Sequence, residues 1–349
     1  MKTTNFIYAD QKKSMNVYSV SKLVTLFLVS IILLTSCETT DDADIQVNEI
    51  PNNTVEIFGG LEYDNSIAEA RENAIQNFTI DATTGGFIIG EDGTQLYFPP
   101  NGLTHLGGEA VSGDVDIAFI EIYSRADMLT QNLPTNGKKD NGDVVTIISG
   151  GEFFVNATQN GNQLVAQIPF ELTAPTDSFD PEMTVFIPEN CDRLDCDVVW
   201  EEDEDAAIEG GEIQNADGTW TSTYVAPLTN FGWTNLDRWW SYAGPKTMVF
   251  ADVPEGFNET NSAIYVSYDG EPNALAFFDT YDTDLEMFTE HYGQMPIGLE
   301  VHFIFVSVQD GAYVYAIQAA TIGADHIEIF TTTQTTTEAG LTALINGLP

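Results

Sequence analysis

Gly85-Gly86-Phe87-Ile88-Ile89 runs through Gly90-Glu91-Asp92-Gly93-Thr94 into Gln95-Leu96-Tyr97-Phe98. Two short runs of aliphatic and aromatic residues flank a Gly/Asp turn, which predicts an antiparallel hairpin. Pro99-Pro100-Asn101-Gly102-Leu103 follows as a loop. Further on, Val115, Ile117, Phe119 and then Ile122 come close to alternation, with Asp114, Asp116 and Glu121 as their polar neighbours. That is the pattern of a half-buried strand. Residues 144–148, 151–158 and 163–170 continue the series, with Gln159-Asn160-Gly161-Asn162 as a tight turn between the last two. Upstream, Ile67 to Asn77 reads as a short helix. Short strands at this spacing, broken by Gly and Asn turns, predict a β-sandwich rather than an α/β fold.

The hairpin residues, together with Pro99 to Leu103 and Gly113-Asp114-Val115-Asp116-Ile117, resemble the β-sandwich domain shared by ankyrins, netrin receptors and zonula occludens proteins. Glu121-Ile122-Tyr123-Ser124 through Met128, Gly150-Gly151-Glu152-Phe153, and Gly232-Trp233-Thr234-Asn235-Leu236-Asp237-Arg238 are similar to stretches in Bacteroidota-type surface lipoproteins. The likeness to the sandwich covers roughly residues 85–170. It implies an interaction or structural module and transfers no catalytic residue.

The second half continues mostly β. Residues 183–187 and 198–200 read as strands around a Cys191–Cys196 loop, and an acidic run, Glu201 to Asp205, precedes a hairpin with Asn215-Ala216-Asp217-Gly218 at its tip. Residues 301–308, 312–320 and 326–332 suggest a three-stranded meander. Leu341, Leu344, Ile345 and Leu348 give a short amphipathic C-terminal helix. The expected fold is therefore mostly β, with one β-sandwich domain over 55–175 and a second mostly-β domain over 176–349.

Residues 1–36 read as a lipoprotein signal peptide. Lys12, Lys13 and Lys22 flank the apolar run Leu23 to Leu34, which ends in Leu34-Thr35-Ser36-Cys37. A membrane span needs about 20 apolar residues, so this run is short for one, and the tetrapeptide resembles a lipobox. Cys37 is the expected lipidation site, its diacylglycerol and acyl chains forming the membrane anchor; one chain binds weakly, several hold stably. Met15 is an alternative start. Residues 37–54 form an acidic tether, and its Glu38 to Asp44 cluster resembles the surface-export signal of Bacteroidota lipoproteins. The expected location is the outer membrane, facing outward.

Without residues 1–36, which hold four lysines and one aspartate, the chain has 7 basic and 53 acidic residues, a net charge of −46. Such a surface repels nucleic acid, which is excluded as a partner. With Cys37 taken by lipid, Cys191 and Cys196 are left to pair as a disulfide.

No H-E-x-x-H, G-x-S-x-G or phosphate-cradling glycine loop is present. The histidines are His105, His291, His302 and His326, and His302 fits a satisfied strand position. No cofactor is required, but Ca²⁺ favours oxygen-rich clusters. Asp192, Asp195 and Asp197 are the first candidates, although the glycine of a calcium loop is missing and a solvated charged loop is the plainer reading. Trp233, Asn235, Asp237, Trp239 and Trp240 are candidates for a sugar-stacking platform; the plainer alternative is core plus a hydrogen-bonded turn. Three functions stay open: a protein partner in the envelope met through the sandwich, a glycan partner met through Trp233–Trp240, or hydrolysis by paired carboxylates.

Overall fold

The computed structural model describes residues 60–189, 191, 193–290 and 292–349. The signal peptide, Cys37, the tether, Asp192 and His291 lie outside the described residues. After helix α1 (Leu61–Asn73) and strand β1 (Gln76–Asp81), the expected hairpin forms from β2 (Gly86–Ile89) and β3 (Gln95–Phe98), with Gly86 opposite Phe98. Its turn is held from a distance. The Glu121 carboxylate accepts the backbone N–H groups of Asp92 at 2.7 Å and Thr94 at 3.1 Å, and Gln76 donates to it as well. A Cβ on Gly90 would lie 2.1 Å from that carboxylate, so only glycine fits there. Two stretches far apart in the chain, the Gly/Asp turn and the Glu121-Ile122-Tyr123 run, are thus one structural device.

The chain continues through β4 (Leu103–His105), β5 (Asp114–Ile122), α2 (Arg125–Thr130), β6 (Asn136–Lys138), β7 (Val144–Gln159), β8 (Asn162–Ala166) and β9 (Phe170–Thr176). The tight turn between β7 and β8 has Asn160 and Gly161 both at positive φ, 52° and 76°, as a two-residue hairpin loop requires. Then come β10 (Thr184–Pro188), β11 (Trp200–Glu202), β12 (Glu209–Gln214), β13 (Trp220–Leu228) and β14 (Gly232–Trp239).

These strands build the first sandwich. One sheet runs β12-β13-β9-β3-β2; the other runs β1-β5-β7-β14-β10-β11-β6, with β8 and β4 attached. Between them lie Ile80, Leu96, Val115, Ile117, Phe119, Phe153, Val155, Leu172, Tyr224 and Leu236. The boundary expected at residue 175 is corrected here. β13 pairs with β9, and β14 pairs with β7, so both sheets draw strands from either side of it. Period and turn signals mark strands but do not say which strands pair, and here long-range pairing joins the two halves.

The larger sheet also closes on itself, because β6 pairs with both β11 and β7 and completes a ring β7-β14-β10-β11-β6. Inside it, a Cβ on Gly137 would stand 2.7 Å from Ile147 Cγ2 and 2.8 Å from Trp239 Cζ3.

The second sandwich is made from β15 (Lys246–Thr247), β16 (Val249–Asp252), β17 (Ser262–Tyr268), β18 (Leu275–Phe277), β19 (Thr280–Asp282), β20 (Met287–Thr289), β21 (Met295–Pro296), β22 (Glu300–Gln309), β23 (Ala312–Thr321), β24 (His326–Ile329) and β25 (Gln334–Thr336), followed by α3 (Glu338–Asn346). One sheet runs β18-β17-β22-β23-β25 and faces another running β19-β20-β16-β24 across Val249, Ala251, Ile264, Phe288, Phe303 and Phe305. The expected meander holds only for β22 and β23. β24 crosses to the opposite sheet and pairs parallel with β16, because the flanking Ile322 and Phe330 are buried in the core between the sheets. Strand β25 takes the place beside β23.

A further core joins the two sandwiches. Ile122, Ile147, Phe154, Phe186 and Trp233 from the first meet Tyr265, Leu275, Ile304 and Val306 from the second, with α1, α2 and α3 among them. Sheet faces that would otherwise meet water are covered, which explains why β14 and β17 are buried on both faces rather than alternating. Leu341 and Ile345 of α3 enter this layer and Leu348 packs against it, as the helical spacing predicts, whereas Leu344 faces outward. No helix among the described residues is long and apolar enough to cross a membrane.

Candidate ligand-binding cleft

The residues singled out between Trp233 and Trp240 divide into two groups. Opposite Gly150-Gly151, β14 has one residue, Leu236, where β7 has two, a β-bulge. Gly151 takes φ 139°, and a Cβ there would lie 2.6 Å from the Phe153 ring. The bulge aligns Ser149 with Asp237 and Glu152 with Asn235. Asn235 donates to Asp237 at 2.7 Å and to Glu152 at 3.3 Å, and accepts from Ser149 at 3.0 Å. Burial pushes the carboxyls of Glu152 and Asp237 well above their ordinary range; the Arg71 charge opposes this at Glu152, and Ser149 and the Gly150 N–H oppose it at Asp237.

Trp233, Asn235 and Asp237 are 2%, 0% and 0% exposed. They are therefore withdrawn from any surface platform, and the reason is the third layer, which covers this face of the sheet. Trp233 packs on Phe154, and Arg71 lies over its ring. Arg71 itself donates to the carbonyls of Gln131, Asn132, Leu194 and Cys196. Nothing in the spacing of residues 67–77 marks this arginine as a buried clamp; its pairing partners come from distant loops.

Trp239 and Trp240 behave differently. Both are half-buried and line a cleft of about 980 Å³. One wall is the closed ring: the β6–β7 turn Lys139-Asp140-Asn141-Gly142, with Gly142 at φ 89°, and strand β11. The other wall is the segment Ser241 to Lys246, which leads into the second sandwich. Trp200, fully buried with its indole N–H on the Pro134 carbonyl, anchors β11 so that Glu201 and Glu202 project at the cleft. Glu202 accepts the Trp239 indole N–H at 2.6 Å, and Phe186 packs edge-on against that ring. Trp240 lies against Tyr242 and Tyr268, with ring centroids 5.8 and 4.9 Å away.

Three lysines complete the cleft, and sequence reading passed over them. Lys138 bridges Glu189 and Glu201, which hold its ammonium charged. Lys139 sits 5.3 Å from the centroid of the Trp239 ring. Lys246 donates to Gln294. Past residue 36 the chain contains only these three lysines. Scarcity was the available signal, since two are adjacent and the third follows Trp240 by six positions.

No protein-family model, curated protein or solved structure matches the chain. The geometry of this cleft is therefore the ground for a functional reading. A mixed aromatic and charged concavity can seat the apolar C–H face of a ring while bonding hydroxyls around it.

The other expected sites are placed as follows. Cys191 and Cys196 stand at disulfide distance, with Cα atoms 6.1 Å apart. Asp195 is engaged by Arg193, and Asp197 lies close enough to Arg71 to favour its charge. Among the described residues no group of three or more acidic, His or Cys side chains is arranged to hold a metal ion. His302 is hydrogen-bonded to Asp269 at 2.7 Å, a satisfied strand histidine.

Proposed function

We propose that this chain is a lipid-anchored envelope protein that binds carbohydrate in the cleft around Trp239 and Trp240. The anchor and the outward-facing location rest on the signal peptide, Cys37 and the acidic tether. The single observation that carries the ligand class is the pair of half-buried indoles in a cleft ringed by Glu202, Glu204, Asp140 and Asn141. These carboxylate and amide groups accept hydrogen bonds from sugar hydroxyls, and the indole faces supply the apolar contact. Glycan-array binding by the full chain, lost in Trp240→Ala, tests the reading; binding that survives this substitution overturns it.

A second reading, contact with an envelope protein, is favoured by one surface. Phe87 and Tyr97 are paired across β2 and β3 and, with Ile89, are 56%, 45% and 54% exposed on a sheet that ends at β2. An apolar patch beside a terminal strand suits docking of another chain. Affinity capture from the native membrane with wild type and a Phe87→Ser, Tyr97→Ser variant separates the two: a partner lost only in the variant supports protein contact.

A further inference from the structure

The basic residues narrow the chemistry of the ligand, on the premise that the cleft binds carbohydrate. Beyond residue 36 there are seven. Arg71 is spent on four backbone carbonyls, and Arg125 on the Ser267 hydroxyl and the Leu348 carbonyl. Arg193 is paired with Asp195, Arg238 with Asp180, and Lys138 with Glu189 and Glu201. Lys139 and Lys246 remain. Both are exposed, and among the described residues neither has a carboxylate within ion-pair distance, although the chain has 53 acids past residue 36. Both line the same cleft, one from the β6–β7 turn and one from β15.

The surrounding field is strongly negative, so an anion approaching elsewhere meets repulsion. Within the cleft the balance is different. Three of the seven basic residues line the cleft against four carboxylates, Asp140, Glu201, Glu202 and Glu204; Lys138 is paired with Glu201, and Glu202 keeps its charge while it accepts the Trp239 indole N–H. Lys139 and Lys246 are the two ammonium groups there held in no ion pair, beside an aromatic surface and the acceptors Glu204, Asp140 and Asn141. We infer that the cleft takes an anionic sugar, whose ring stacks at Trp240 and whose carboxylate or sulfate is met by Lys139 and Lys246. Lys139 already lies over the Trp239 ring, so the charge is held in place before a ligand arrives.

The test uses the full chain and four probes: a galacturonic acid trimer, its methyl ester, a sulfated galactose oligomer and the unsulfated oligomer. Binding is measured by calorimetry at low and physiological salt. Wild type is expected to prefer one acidic probe over its neutral partner by about tenfold or more, with the preference shrinking as salt rises. The uronate and sulfate arms distinguish which anion is recognised. Lys139→Gln with Lys246→Gln should remove the preference, and Lys139→Arg should keep it. Equal affinity for charged and neutral probes, or a preference untouched by the double Gln variant, overturns the anionic-sugar inference and leaves carbohydrate binding standing. Absence of binding to every probe, with wild-type circular dichroism unchanged, overturns both.

Discussion

The guanidinium of Arg71 lies over the indole of Trp233, 5.8 Å from the ring centroid, while its nitrogens bond four carbonyls from two separate loops. One side chain from α1 thus ties the end of α2 and the cysteine loop to the bulged sheet. Arg71→Ala would leave several buried carbonyls without donors, each worth about 1–3 kcal/mol. The expected loss is more than about 4 kcal/mol in chemical denaturation. Arg71→Lys should rescue little, because an ammonium cannot reproduce the planar fork.

The bulge carboxyls set a pH dependence. Asp237 and Glu152 keep their protons in the fold at pH values where the unfolded chain has lost them. The unfolded state then binds fewer protons, so stability is full below the unfolded carboxyl range near pH 4 and falls as pH rises toward the folded value. One such group contributes a slope of at most about 1.4 kcal/mol per pH unit. Asp237→Asn, which cannot ionise, should melt with a shallower decline between pH 5 and 8. An unchanged slope would place the titration elsewhere.

Gly137 is a test of the ring. Gly137→Ala forces a methyl against Ile147 and Trp239, with an expected cost of about 1–3 kcal/mol and a shift in tryptophan fluorescence. Gly142→Ala, in the adjoining turn, meets nothing within 4 Å and suffers only from its positive φ, about 1 kcal/mol. Its fluorescence should match wild type.

The cysteine pair closes a short loop, for which chain entropy gives about 2 kcal/mol. Arg71 holds the Leu194 and Cys196 carbonyls of the same loop. Replacing both cysteines by serine should therefore lose less than that, and the combination with Arg71→Ala should lose more than the two measured separately.

Local signals were legible where a local rule decides. Gly86 to Phe98 forms its hairpin, Gln159 to Asn162 its turn, and Leu341 and Ile345 their helix face. What escaped was long-range. β14 reads as part of a second domain until its pairing with β7 is seen, and the near-alternation of β5 changes phase after Phe119 because Ile120 and Ile122 face a different core. At the site, Trp239 and Trp240 stood out as aromatics, while Asp237 looked equally polar and accessible although a third layer covers it. Lys246 could be joined to Lys139 only once β15 and the β6–β7 turn were placed side by side.

The ring of β7, β14, β10, β11 and β6 has no free edge. A sheet ordinarily frays from its outermost strand, but a cycle of strands offers no such starting point. Lys138, Glu201 and Trp239 ride on that cycle, so this wall of the cleft opens only by breaking a ladder between two paired strands. A guest molecule would then find its seat already shaped, and the speed of capture would be set by diffusion and charge rather than by waiting for the protein to open.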